Sequence, residues 1–224
     1  LDGLTGIFNK RFITLRLAEQ VHRALEEHQS LAVFLFDIDH FKQYNDRNGH
    51  VAGDQLLRKL TQLVQANVRQ DSLFGRFGGE EFILVLPGAD KAQGLAAAEN
   101  VRKLIAEHAF GLGADQPLER VSISGGVAAC PEDASESGVL IRSADEALYA
   151  AKHAGRNRVL GYVPHYLGGE AQEPVAPADF HVPAEPEAPP LLPGEAAAAR
   201  RLEVDGSRAD ETGPLNGSDL VALE

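Results

Sequence analysis

The chain has 224 residues, 44% hydrophobic and 24% charged, with 33 acidic and 21 basic side chains and a formal net charge of −12. These proportions describe an ordinary soluble globular chain, and the acidic balance argues against a nucleic-acid binder, which needs clustered Lys and Arg. The longest apolar run, Leu31–Phe36, is far short of the roughly 20 residues that cross a bilayer, so neither a membrane segment nor a signal peptide is expected.

Periodicities alternate along the first 162 residues. Apolar positions 13, 17, 21, 24 and 25 predict a helix over 12–25. The uninterrupted run 31–36 predicts a strand buried on both faces. Leu56, Leu57, Leu60, Leu63, Val64 and Val68 mark a second amphipathic helix. Two short β-like runs follow, 72–77 and 82–86, separated by Gly78-Gly79-Glu80-Glu81. Glycines between such runs predict a tight hairpin in which they take up positive φ. A helix is predicted over 95–105, an alternating strand through Val121, Ile123, Gly125 and Val127, a helix over 140–151 and a last strand over 158–162. The order α, βαββαβ, αβ implies an α/β sandwich, with helices covering a mixed sheet whose βαββαβ core is ferredoxin-like, or palm-type.

Composition changes near Tyr162. Residues 163–224 hold nine of the 12 prolines, 12 acids and 3 bases, which leaves a charge of only −3 for residues 1–162. Such a Pro/Ala/Glu-rich segment buries too little apolar area to offset its conformational entropy. The expected organisation is a domain over 1–162 and a disordered tail over 163–224, with at most a frayed helical turn near 195–200. The single cysteine, Cys130, excludes an internal disulfide and fits the reducing cytoplasm; it is expected to pack as a small apolar residue. No methionine occurs, even at position 1, as in a fragment or a processed chain.

Two acidic clusters stand at element ends. Phe36-Asp37-Ile38-Asp39 is where the apolar run turns acidic, and Glu80-Glu81 lies in the hairpin. A strand end and a hairpin tip in one sheet bring carboxylates close, and carboxylates that close need a cation or a shared proton. All-oxygen ligands select Mg²⁺ or Mn²⁺, and a pair of such ions suits phosphoryl or nucleotidyl transfer. Each cluster alone reads better as solvated turn acids; together, bracketing a buried strand, they favour a metal. Spacing does not choose between Asp37 and Asp39, because residues two apart face one side of a strand.

The pentapeptide Gly78-Gly79-Glu80-Glu81-Phe82 resembles the signature of the GGDEF family of diguanylate cyclases. Four further segments resemble that family's motifs in its own order: Asp2–Arg11, Asp37–Lys42, Asn45–Asp54 and Ala151–Asn157. The likeness implies a fold similar to nucleotide cyclase catalytic domains, and condensation of two GTP molecules to cyclic di-GMP with release of pyrophosphate. It implies two metal ions per site, held by Asp37, Glu80 and the main-chain carbonyl of Ile38. Glu80 would take the proton of the attacking 3′-hydroxyl, with Glu81 in support. Each domain would hold one nucleotide, so that activity requires a homodimer, controlled by an N-terminal sensor. The opposing possibility is a catalytically inactive module that binds GTP or cyclic di-GMP, against which the intact Glu80 and Glu81 argue.

The resemblance assigns Asn45 and Asp54 to the guanine edge, which a carboxylate matches through N1–H and N2–H₂ whereas adenine does not. Helix capping for Asp54 and turn formation for Asn45 are the bland alternatives. Lys42, Lys152 and Arg156 become phosphate ligands, although Arg156 would equally offset a helix dipole. His50 is a possible substrate contact, and Phe41 either underlies the nucleotide or joins the core. Asn9 and Arg11 are expected to cap and anchor the first helix. Many relatives carry an inhibitory Arg-x-x-Asp; here the register gives Arg69-Gln-Asp71-Ser72, with the acid one residue early. Weak product inhibition is the expectation.

Overall fold

In a computed structural model, residues 1–111 and 120–164 are described. The expected tail, from residue 165 onward, and the helical turn near 195–200 lie outside them. The elements run β1 (Phe8–Asn9), α1 (Lys10–Glu26), β2 (Leu31–Ile38), α2 (Phe41–Asn48), α3 (His50–Gln65), β3 (Leu73–Arg76), β4 (Glu81–Pro87), α4 (Lys91–Glu107), β5 (Ile123–Cys130), α5 (Ser137–His153) and β6 (Val159–Gly161). Among the described residues no helix is long and apolar enough to cross a membrane.

The six strands form one sheet in the order β1-β3-β4-β2-β5-β6. The inner four are antiparallel, and the short edge strands β1 and β6 pair parallel with β3 and β5. This is the expected mixed sheet around a βαββαβ core. Alternation along β2 divides the interior. Ala32, Phe34, Phe36 and Ile38 face α3 and α4 through Leu56, Leu60, Val64, Ala98 and Val101. Leu31, Val33 and Leu35 face α1 and α5 through Ile13, Leu17, Leu140, Ala144 and Leu148. Cys130 is buried in that second layer, as expected.

Local chemistry sets the helix starts. Asn9 caps α1, its side chain accepting from Phe12 N at 3.0 Å. Asp90 and Gln93 form a reciprocal capping box on α4. At the sheet centre, a Cβ on Gly125 would overlap the Phe34 ring, and one on Gly126 would overlap the α5 backbone at Ala144. Gly126 lets α5 lie directly on β5, and Gly125 makes room for Phe34 on the opposite face of the sheet. All eight residues of β5 are buried.

Two expectations need correction. The turn offered for Asn45 is not there: α2 fills the segment between β2 and the second amphipathic helix, and Gly49 at φ 82° joins α2 to α3. The polar run Lys42-Gln-Tyr-Asn-Asp-Arg-Asn hides α2, because only Phe41 and Tyr44 turn inward. Gly78 and Gly79 do not adopt the positive φ expected of hairpin glycines. A Cβ on Gly78 would instead overlap the Glu81 carboxylate, so its glycine serves close approach, and Gly79 has open space around it.

Candidate active site

The apolar run of β2 ends at Asp37, which is directly opposite Glu81 of β4 and Ser124 of β5. One residue on, Ile38 N–H donates to Glu80 O at 3.3 Å. Strand register therefore brings Asp37, Glu80 and Glu81 to one end of the sheet centre. Asp37 has the parity of Val33 and Leu35, so its carboxylate lies on the α5 side. There Lys152 Nζ sits 3.0 Å from Asp37 Oδ1.

Burial raises the Asp37 pKa to about 6; the charges of Glu80 and Glu81 add to the rise, and Lys152 opposes it. Glu80 is raised for the same reasons, burial first, with Glu81 adding and Lys152 subtracting. One ammonium among three carboxylates leaves an excess of negative charge. The donors are all oxygen, the set that suits Mg²⁺ or Mn²⁺. Among the described residues no three acidic, His or Cys side chains converge as a ready metal cage. The fit to a cation rests on the carboxylates of Asp37 and Glu80 with main-chain oxygen.

Asp39 separates from this group. It is buried, and its carboxylate accepts from Ser122 Oγ and Ser124 Oγ at 2.7 Å each and from Asn157 N–H at 3.0 Å. An acid so fully hydrogen-bonded is a brace between β2, β5 and the loop after α5. The two acids that spacing left alike thus have different partners, Asp37 the Lys152 ammonium and Asp39 the two serines and Asn157.

The signature turn is held from outside. Arg76 donates through Nε and Nη2 to Gly79 O at 3.1 and 2.6 Å. Its Nη1 donates to Asp2 Oδ1 at 3.2 Å. Asp2 also accepts from Thr5 N–H and Thr5 Oγ1 at 2.9 and 2.7 Å. The opening segment is thus tied to the hairpin carrying Glu80. A basic residue two positions before the Gly-Gly pair was the signal for this clamp, which sequence reasoning missed.

A second group of the expected residues lies where α2 meets α3. Asn45 lies inside α2 rather than in a turn, and its Oδ1 is buried without a hydrogen-bond partner. A Cβ on Gly53 would overlap that oxygen and lie 3.2 Å from Phe41 Cζ. Asp54 is adjacent to Gly53 and exposed. It is the fifth residue of α3, past the first turn, and that helix has no acidic first-turn residue. Capping is therefore excluded for Asp54. Phe41 belongs to the core, stacked on Tyr44 with centroids 6.4 Å apart. Lys42 and His50 are exposed at the starts of α2 and α3.

Arg156 follows the end of α5. Gly155 at φ 110° turns the chain, and Arg156 N–H donates to Ala151 O at 3.1 Å, closing the helix. Arg69 and Asp71 form a bidentate, half-exposed ion pair through Nε (3.0 Å) and Nη2. Arg69 also reaches Pro87 O at 3.4 Å. Pro87 is the far end of β4 from Glu81, so the pair lies on the order of 20 Å from the acidic cluster.

Comparison with known proteins places this arrangement. The family model described as "Diguanylate cyclase, GGDEF domain" matches residues 1–158. Response regulator PleD of Caulobacter vibrioides is 38% identical over 160 residues, covering 71% of this chain and 35% of that protein. The probable diguanylate cyclase DgcT of Escherichia coli is 37% identical over 163 residues, with the same shares. The chain thus spans about a third of the length of these curated relatives. Among solved structures, the GGDEF domain of DgcB from Caulobacter crescentus, in complex with c-di-GMP, superposes with TM-score 0.65 at 30% identity, covering 71% of this chain and 91% of that one. The active GGEEF domain of a diguanylate cyclase from Vibrio cholerae gives TM-score 0.64 at 33% identity, covering 70% and 98%.

Proposed function

The chain belongs to the GGDEF family of diguanylate cyclases, and we propose that it condenses two GTP molecules into cyclic di-GMP. The observation that carries this reading is the register of Asp37 against Glu81, with Ile38 N–H on Glu80 O. It brings Asp37, Glu80 and Glu81 to one end of the sheet centre, which supports a cyclase site there. In each half-reaction the 3′-oxygen of one GTP bonds to the α-phosphorus of the other. The bond from that phosphorus to the pyrophosphate oxygen breaks, and pyrophosphate leaves.

Asp54 accepts hydrogen bonds from guanine N1–H and N2–H₂, and the Asn45 amide completes the edge. Adenine offers the opposite pattern to Asp54, which selects GTP. Asp37, Glu80 and the Ile38 carbonyl would hold two Mg²⁺ or Mn²⁺ ions. Bound there, such ions would neutralise the triphosphate and acidify the 3′-hydroxyl. Lys42, Lys152 and Arg156 donate to phosphate oxygens, Lys152 from its place beside Asp37. Glu80 takes the 3′-hydroxyl proton, a role suited to a carboxylate whose pKa is raised toward neutrality. Glu81 supports it from the adjacent position.

One domain offers one nucleotide pocket, so two copies face each other in the reactive assembly. An N-terminal sensor governs that pairing, and GTP places the reaction in the cytoplasm. The test is incubation with GTP and Mg²⁺ across a dilution series, with identification of the nucleotide product. Cyclic di-GMP and two equivalents of pyrophosphate are expected, at a specific rate that rises with protein concentration. GTP binding without any product would instead support the inactive binding module.

A further inference from the structure

Arg156 and Asn157 occupy the left-handed region in succession, at φ 63° and 47°. Neither is glycine, and paired residues in that basin persist only where their surroundings over-determine them. Here the surroundings do so bond by bond. Arg156 O accepts from Arg158 Nε at 3.1 Å, and Asn157 N–H donates to the buried Asp39 carboxylate. The Asn157 side-chain oxygen accepts from Arg102 Nη1 at 2.7 Å. Arg102 is itself fixed, because Glu99 accepts from its Nε at 2.8 Å and its Nη2 at 2.7 Å. Its side chain is only 15% exposed.

We propose that Arg102 is a positioning residue for nucleotide binding. Through Asn157 it holds the left-handed turn that aims Arg156 at the phosphates. The inference rests on the reading of Arg156 as a phosphate ligand. Arg102 belongs to α4, which contributes none of the site residues named above, and nothing in its sequence neighbourhood marks it. Its guanidinium geometry explains the choice of residue. The two nitrogens given to Glu99 set the plane, and the third then points at Asn157 Oδ1 in one direction only. Without that bond the turn loses one of its anchors. Relaxation of Arg156 or Asn157 to the right-handed basin then swings the Arg156 side chain away.

The test is a double-mutant cycle on the full chain, read as calorimetric affinity for α,β-methylene GTP with Mg²⁺, an analogue that cannot release pyrophosphate. Arg102→Met keeps the apolar stem and removes the donors; about a tenfold loss of affinity is expected. Arg102→Lys should recover most of it, since an ammonium can still bridge Glu99 and Asn157. Arg156→Ala should weaken binding on its own, and Arg102→Met added to it should change affinity by less than about twofold. Losses that simply add would mean that Arg102 acts elsewhere, and would overturn the proposal. So would normal affinity in Arg102→Met beside weak binding in Arg156→Ala, with the phosphate-ligand reading left standing. Normal affinity in Arg156→Ala would remove both together. Should Arg102→Met not fold, Glu99→Gln loosens the same guanidinium and must weaken binding in the same direction, or the proposal fails.

Discussion

Gly53 and Asn45 compete for one space: any side chain at position 53 would overlap the buried, unpartnered Oδ1 of Asn45. An unpartnered buried oxygen carries a desolvation penalty that a bound ligand can relieve. Gly53→Ala is therefore expected to displace Asn45 and weaken GTP by roughly tenfold, the cost of about one hydrogen bond. The helix itself gains about 1 kcal/mol from alanine, which partly offsets an overpacking cost of about 1–3 kcal/mol. The melting temperature should thus move little while nucleotide affinity falls. Unchanged calorimetric affinity for GTP would detach Asn45 from recognition.

Glu80→Ala should abolish turnover in a folded protein. Burial raises the Glu80 pKa, so folding disfavours its charged form. Removing the group at neutral pH relieves that penalty, and the melting temperature should hold or rise slightly. A variant that melts normally and still makes product at an undiminished rate would take Glu80 out of the mechanism.

Asp37 makes a pH prediction whose sign is opposite to that of a salt-bridge acid. Its pKa rises from 3.8 to about 6 on folding, so the folded state binds the proton more tightly than the unfolded chain does. Its stabilising effect is present below pH 4 and is lost as pH climbs through about 6. A shift of about two units corresponds to roughly 3 kcal/mol. Asp37→Asn should raise the melting temperature at pH 7.5 by at least about 2 °C, flatten the change between pH 5 and 7.5, and abolish activity. A lower melting temperature at pH 7.5 would show that the Lys152 pair outweighs burial.

Arg69 is expected to play little part in feedback. Its donors are engaged by Asp71, and Ser72, in the register of the expected acid, has its Oγ buried without a partner. A hydroxyl there supplies no charge for a cyclic dinucleotide. Added cyclic di-GMP should inhibit weakly, and Arg69→Ala should leave its half-inhibitory concentration within about twofold. Tight inhibition that vanishes in Arg69→Ala would mean that Asp71 swings aside to form a working site. As a half-exposed pair, Arg69–Asp71 should contribute at most about 1 kcal/mol to stability.

What the sequence made readable were the long periodic elements and the acidic ends. The apolar run at Leu31 and the stripe at Leu56 became β2 and α3, and Asp37 stood beside Glu80 and Glu81 as expected. What it concealed depends on contacts between distant residues. Asp39 could not be told from Asp37 because its partners Ser122, Ser124 and Asn157 lie 83 to 118 residues away. β1 is two residues long and carries no period. Gly78 looked like a turn former because a glycine's empty side says nothing of which neighbour needs it.

The sheet's margins also bear on how two copies can meet. β1 offers two residues and β6 three, too little backbone to recruit a strand from another molecule, a common device against edge-to-edge aggregation. Among the described residues, the sheet thus offers little edge for continuous hydrogen-bonded β-pairing on either side. In the proposed two-copy reaction, copies would then pair through side chains and bound nucleotide, contacts that would come apart once the product departs.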